Sequence, residues 1–97
     1  MDYPRMAIVH ITFSNQKFQD QDASAVESLL RKNGHVYHLI IHDREIIFYL
    51  WAEEKINYNV LDQIKNELQN RKYTGFIISA DEYARTGQIY HYQAPPS

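Results

Sequence analysis

Residues 35–52, HVYHLIIHDREIIFYLWA, decide the fold of this chain. They contain two runs rich in β-branched and aromatic residues, which are the residues that favour strands. The runs are separated only by Asp43 and Arg44. Two strand-like runs with such a short connection predict a β-hairpin, although no glycine marks the type of turn.

Periodicity elsewhere in the chain predicts further strands and helices around this hairpin. Apolar residues that alternate with polar ones indicate half-buried strands, and apolar residues at helical spacing indicate amphipathic helices. Ser24 and Glu27 have the spacing of a helix-capping box. The predicted elements in chain order are a strand over 6–13, a helix from Asp22 or Ser24, the hairpin strands over 35–42 and 45–52, a helix from about Asn59, a strand over 73–80 and a short strand over 88–93.

The order strand, helix, strand, strand, helix, strand is that of the ferredoxin-like βαββαβ arrangement. We therefore expect an α+β two-layer sandwich with an antiparallel sheet of order 4-1-3-2, two helices on one face and an additional C-terminal strand. Residues 1–93 are predicted to form a single domain, and residues 94–97 a disordered tail. The arrangement hosts many unrelated activities, so it predicts no function.

Composition excludes several kinds of site. The 97 residues include no cysteine, which excludes disulfides, thiol nucleophiles, iron–sulfur clusters and thiolate zinc sites. The first residues lack the apolar segment of a signal peptide, and we expect no membrane span. A cytoplasmic location is the expectation. The formal net charge of −2 gives no broad attraction to nucleic acid.

The hairpin register predicts which residues share a face of the sheet, because paired residues lie on one face and faces alternate along a strand. One face is predicted to be the core under the helices, and it collects Tyr37, Leu39, Ile41, Ile46, Phe48 and Leu50. The other collects Val36, His38, Ile40, His42, Glu45, Ile47, Tyr49 and Trp51, with Ile8, His10 and Thr12 from the first strand and Tyr73, Ile77 and Ser79 from the fourth.

This second face is too apolar to remain in contact with water. Monomers rarely leave a large apolar patch uncovered, so we expect a second copy, another protein, a ligand or the C-terminal segment to cover it. The partner-binding residues predicted on it are His10, His38, His42, Tyr49 and Trp51. Tyrosine and arginine carry much of the energy of protein interfaces. A second predicted set in the C-terminal segment is therefore Tyr83, Arg85, Tyr90 and Tyr92, unless those tyrosines simply pack on the sheet.

The histidines of this face do not form a predicted metal site. Ligand atoms must lie within about 2 Å of one ion. The strand spacing of about 4.8 Å places His10 and His38 about 10 Å apart, and the rise along a strand separates His38 from His42 by about 13 Å. Phosphate-binding loops and nucleophile elbows are also missing from the sequence. We expect no metal, cofactor or catalytic residue.

Three classes of function remain open. The first is a small protein-binding module, such as an inhibitor or immunity-type protein that neutralises a toxin or nuclease by covering its surface. The second is a dimeric α/β-barrel-type small-molecule binder or enzyme, in which His10, His38, Tyr49 and Trp51 line a pocket. The third and weakest is a nucleic-acid-associated regulator that uses the basic pairs at 31–32 and 71–72. Small size and mild acidity favour the first, with another protein or a second copy as partner.

Overall fold

Strands and helices follow one another as the sequence predicts. The computed structural model describes residues 5–14, 17–83 and 87–96. The elements within these residues are β1 (Arg5–Phe13), α1 (Asp20–Arg31), β2 (Val36–Ile41), β3 (Glu45–Ala52), α2 (Asn59–Asn70), β4 (Phe76–Glu82) and β5 (Tyr90–Gln93).

All strands belong to one antiparallel sheet with the order β2-β3-β1-β4-β5. This differs from the expected order 4-1-3-2 by the addition of β5 as an edge strand beside β4. The protein is an α+β two-layer sandwich, as expected, because both helices bury their apolar residues against the same face of the sheet.

The core lies between this face and the helices. Alternate residues of β1, namely Ala7, Val9 and Ile11, are 0% exposed, as period-two burial requires. Burying a large aliphatic or aromatic side chain contributes about 1.5–3 kcal/mol, so this layer is the main source of stability. The residues that β3, β4 and the helices add to the core are Ile46, Phe48, Leu50, Phe76, Ile78, Val26, Leu30, Val60, Leu61, Ile64 and Leu68.

Helix α1 begins earlier than the sequence pattern predicts. Its first residue is Asp20, and the preceding Gln19 makes no side-chain capping bond. The predicted capping box is wrong because Ser24 already lies in the second turn, and Glu27 instead binds Arg31 at 2.8 Å. The carboxylates of Asp20 and Asp22 in the first turn still stabilise this end of the helix, because they interact favourably with the positive end of the helix dipole.

Tyr73 was predicted on the face opposite the helices, and this prediction is wrong. Strand β4 begins only at Phe76, and Tyr73 is 2% exposed in the core. Its ring lies 5.5 Å from that of Phe13 and 5.2 Å from that of Phe18. Its hydroxyl donates a hydrogen bond of 2.6 Å to Asp22, which satisfies the one polar atom that burial would otherwise penalise.

Two residues of the expected tail are part of the folded domain. Ala94 is 2% exposed, and its NH donates to the carbonyl of Phe76 at 2.8 Å. The NH of Gly75 donates to the carbonyl of Pro95 at 3.1 Å. The backbone thus remains attached to the start of β4 for two residues beyond β5.

Neither helix of the described residues is both long enough and apolar enough to cross a membrane.

Candidate functional site

The sheet surface that faces away from the helices is the candidate site, and we call it the open face. Strand register and alternation place on it the side chains of Met6, Ile8, His10, Thr12, Tyr37, His38, Ile40, Glu45, Ile47, Tyr49, Trp51, Ile77, Ser79, Asp81, His91 and Gln93. The chain after β4 adds Tyr83, whose NH donates to the carbonyl of Met6 at 2.9 Å.

A β-bulge in β2 changes the predicted membership of this face. Near the turn, Ile40 pairs with Ile47 as expected, but Tyr37 pairs with Tyr49 instead of Leu50. The register shifts between these two pairs, where His38 adopts a left-handed conformation with φ 54°. An extra residue in one strand moves everything beyond it to the other face.

The expected faces of Tyr37 and Val36 are therefore exchanged. Tyr37 was predicted in the core but is 46% exposed on the open face. Val36 was predicted on the open face but pairs with Leu50 and packs against the core. Tyr37 is thus a site residue that the sequence pattern assigned to the wrong face, whereas Met6, Asp81, His91 and Gln93 are open-face residues that it did not assign. No glycine or asparagine marks the bulge in the sequence, so only the structure reveals it.

Three of the rings on the open face form a connected cluster. The ring centroid of Tyr49 lies 5.4 Å from that of His38 with an interplanar angle of 65°, and 6.3 Å from that of Tyr83 with an angle of 83°. Edge-to-face contacts of this kind are favourable because the ring edge is positive and the ring face negative. Hydrogen bonding with Tyr49 raises the pKa of the Tyr83 phenol. The contacts hold the rings in a defined arrangement at the surface.

The open face contains the exposed large hydrophobic side chains of the described residues. Tyr37 and Ile40 are each 46% exposed, and Tyr83 is 60% exposed. If a large side chain presents about 200 Å² when fully exposed, these three alone present about 300 Å². The largest apolar patch on a monomer is about 300–600 Å² and is often functional. Half-buried Trp51, Ile8 and Ile47 enlarge the patch.

The permanent charges on the open face are negative. Its described strand positions carry Glu45 and Asp81 but neither lysine nor arginine. Glu45 lies opposite Thr12 and Asp81 opposite Ile8, so strand spacing and rise place these two carboxylates about 17 Å apart. His10 Nε2 lies 3.5 Å from the Glu45 carboxylate and is shielded from solvent.

The predicted sheet-face residues are brought together with one exception. His10, His38, Tyr49 and Trp51 all lie on the open face. His42 lies instead in the hairpin turn beyond β2 and is exposed. It lines a cavity of about 720 Å³ between this turn and α1, whose walls include both acidic and basic side chains.

The predicted C-terminal set is divided between the two faces of the sheet. Tyr83 joins the open face, whereas Tyr90 and Tyr92 lie on the helix side and pack against the core. The ring of Tyr92 lies 4.8 Å from Lys65 Nζ, and its hydroxyl accepts a hydrogen bond from Gln69. Burial, and then the neighbouring Asp62, raise the pKa of Tyr90. Arg85 lies outside the described residues.

The described residues contain no group of three or more histidine, aspartate or glutamate side chains placed to hold a metal ion. Comparison with protein-family models, with characterised proteins and with solved structures found no match to this chain.

Proposed function

We propose that the protein is a protein-binding module and that the open face is its docking surface. The observation that carries this proposal is that Tyr37, Ile40 and Tyr83, the exposed large apolar side chains among the described residues, lie on that one face. The largest apolar patch of a monomer, about 300–600 Å², is often functional, and the open face reaches this range. Tyrosine and tryptophan, which the same face presents, are enriched among the residues that dominate binding energy.

The shape of the surface favours a macromolecule over a small ligand. Small molecules are held in concave pockets that bury most of their area, whereas a sheet face offers a broad and nearly flat surface. The edge-to-face contacts of Tyr49 pre-organise the surface before binding, which lowers the entropic cost of association. The finer form of the proposal is an inhibitor or immunity-type protein, which acts by covering a functional surface of its partner.

Site-specific photo-cross-linking in the cells that produce the protein tests this proposal. Benzoylphenylalanine is placed at Tyr37 on the open face and, in a matched control, at Gln63, which is exposed on α2. We expect a discrete covalent adduct with another protein from position 37 and none from position 63. Adding Tyr49→Ser to the position-37 probe should reduce the adduct at least fivefold.

Two results contradict the proposal. Equal adducts from both positions would show that the helix layer binds as well as the sheet. An adduct of twice the mass of the chain would show that a second copy covers the open face, which supports the dimeric α/β-barrel type of protein instead. When the adduct contains another protein, the activity of that protein with and without this chain tests the inhibitor form.

A further inference from the structure

The charges on the open face specify what kind of protein fits it. Resting on the proposed function, we infer that the partner presents arginine or lysine side chains around an apolar centre. The described face combines apolar and aromatic side chains with Glu45 and Asp81, about 17 Å apart. Binding removes these carboxylates from water, and the resulting penalty is offset when cations of the partner meet them.

The rings of the open face accept the same cations. A guanidinium or ammonium group within about 6 Å of a tyrosine or tryptophan ring is attracted to the negative ring face. The chain already makes such a contact on its other side, where Lys65 Nζ lies 4.8 Å from the centroid of Tyr92. Tyr37 and Tyr83, which are 46% and 60% exposed, have comparable ring surface available to a partner.

A second copy of the chain matches this surface less well. Two open faces packed against each other lie about 10 Å apart, so their side chains interdigitate. The described positions of each face would bring two carboxylates and neither lysine nor arginine to the other. Nucleic acid is disfavoured for the same reason, because its phosphates would approach Glu45 and Asp81 without a cation between them. A basic protein surface has no such conflict.

Selection of random peptides tests the inference while the partner itself is unidentified. Displayed twelve-residue peptides are selected on the immobilised full chain, and their binding is measured again on three double variants. Tyr37→Ser with Tyr49→Ser removes two tyrosine rings that lie opposite each other on the open face. Glu45→Gln with Asp81→Asn removes the carboxylates of the open face. Glu53→Gln with Glu54→Gln is the matched control, because it removes two exposed carboxylates from the connection between β3 and α2.

We expect the selected peptides to be enriched in arginine and lysine next to aromatic or aliphatic residues. Exposed ion pairs are individually weak, so loss of both open-face carboxylates should weaken the best peptide about fivefold. The control variant should change its dissociation constant less than twofold. Circular dichroism of each variant establishes that the fold is retained.

The possible failures are distinguishable. Peptides that require the tyrosines, yet show no basic enrichment and ignore the open-face carboxylates, would overturn the inference and leave the proposed function standing. Peptides that bind the tyrosine variant equally well would contradict the proposed function itself. Twice the mass of the chain in light scattering at neutral pH, or tighter binding to single-stranded RNA than to the peptides, would overturn the inference in favour of a second copy or of nucleic acid.

Discussion

Tyr37 lies directly opposite Tyr49 across β2 and β3, and both side chains are on the open face. A regular hairpin would place Leu50 in that position and turn Tyr37 into the core. The extra residue beside His38 causes the difference, because one inserted residue reverses the faces of a strand beyond it. The bulge thereby adds Tyr37 to Tyr49 and Tyr83 on the proposed docking surface.

Because the bulge leaves Tyr37 exposed, its side chain should contribute little to stability. Tyr37→Ser should lower the free energy of unfolding by about 1 kcal/mol or less, because the ring is 46% exposed and only strand propensity and partial packing are lost. Phe48→Ala, at a position of the same hairpin that is 0% exposed, should cost about 3–5 kcal/mol. Urea denaturation followed by circular dichroism measures both values. A cost above about 2 kcal/mol for Tyr37→Ser would place that ring in the core.

The layers of the fold could be predicted from sequence because burial repeats along each element. Ala7, Val9 and Ile11 alternate strictly with half-buried residues, so the core face of β1 follows from the pattern alone. The start of α1 does not follow from it. Asp22 is only 9% exposed because Tyr73, distant in sequence, binds it, and this contact outweighs the local capping signal at Ser24.

The candidate site was predictable only where the strands are regular. His10 and Tyr49 lie where alternation places them, since β1 and β3 pair without interruption. The bulge depends on a histidine in a conformation that glycine usually adopts, and no residue type announces it. In β5, Tyr92 lies on the helix side because it pairs with the core residue Ile78 of β4. The sequence alone does not reveal this pairing, so it could not assign Tyr92 to a face.

Lys72 gives a second stability prediction. It adopts φ 73° directly after Arg71, the C-cap residue of α2, where the helix ends in a Schellman motif with the NH of Tyr73 bonded to the carbonyl of Leu68. A residue with a Cβ atom is strained in this region, so Lys72→Gly should stabilise the protein by about 0.5–1 kcal/mol.

The matched control is Lys32→Gly at the corresponding end of α1. Lys32 has φ −68° in the right-handed region, where glycine only adds freedom to the unfolded chain. This variant should lose about 0.5–1 kcal/mol. Thermal unfolding of the two glycine variants should therefore give shifts of opposite sign, and shifts of the same sign would contradict the assigned conformations.

The hydroxyl of Tyr73 should contribute measurably to stability. It donates to Asp22 at 2.6 Å and accepts from the NH of Gln19 at 3.0 Å, in a buried position. Tyr73→Phe leaves both groups without this partner and should cost about 1–3 kcal/mol. Tyr92→Phe removes the contact of an exposed Gln69 and should cost less than about 0.5 kcal/mol. If chemical denaturation gave equal losses of unfolding free energy for Tyr73→Phe and Tyr92→Phe, the buried hydrogen bonds of the Tyr73 hydroxyl would contribute no more than an exposed one.

The pH dependence of stability should report on Asp22. The hydrogen bond from Tyr73 lowers the pKa of Asp22, burial opposes this effect, and Arg71 at 2.8 Å lowers the pKa further. Because the folded pKa is below the ordinary value of 3.8, the contribution of this carboxylate is complete above that pH. It is lost as the pH falls through the folded pKa.

Asp22→Asn should therefore destabilise the protein by about 2 kcal/mol at neutral pH, and this difference from the unmodified chain should shrink below about pH 4. Unfolding free energies measured in urea from pH 7 to pH 2.5 give the difference directly. Asp81→Asn is the control, since it removes an exposed carboxylate of the open face and should change stability by less than about 0.5 kcal/mol. A difference for Asp22→Asn that grew as the pH fell would mean that the carboxyl binds its proton more readily when folded, which is incompatible with hydrogen bonds from Tyr73 and Arg71 that stabilise its ionised form.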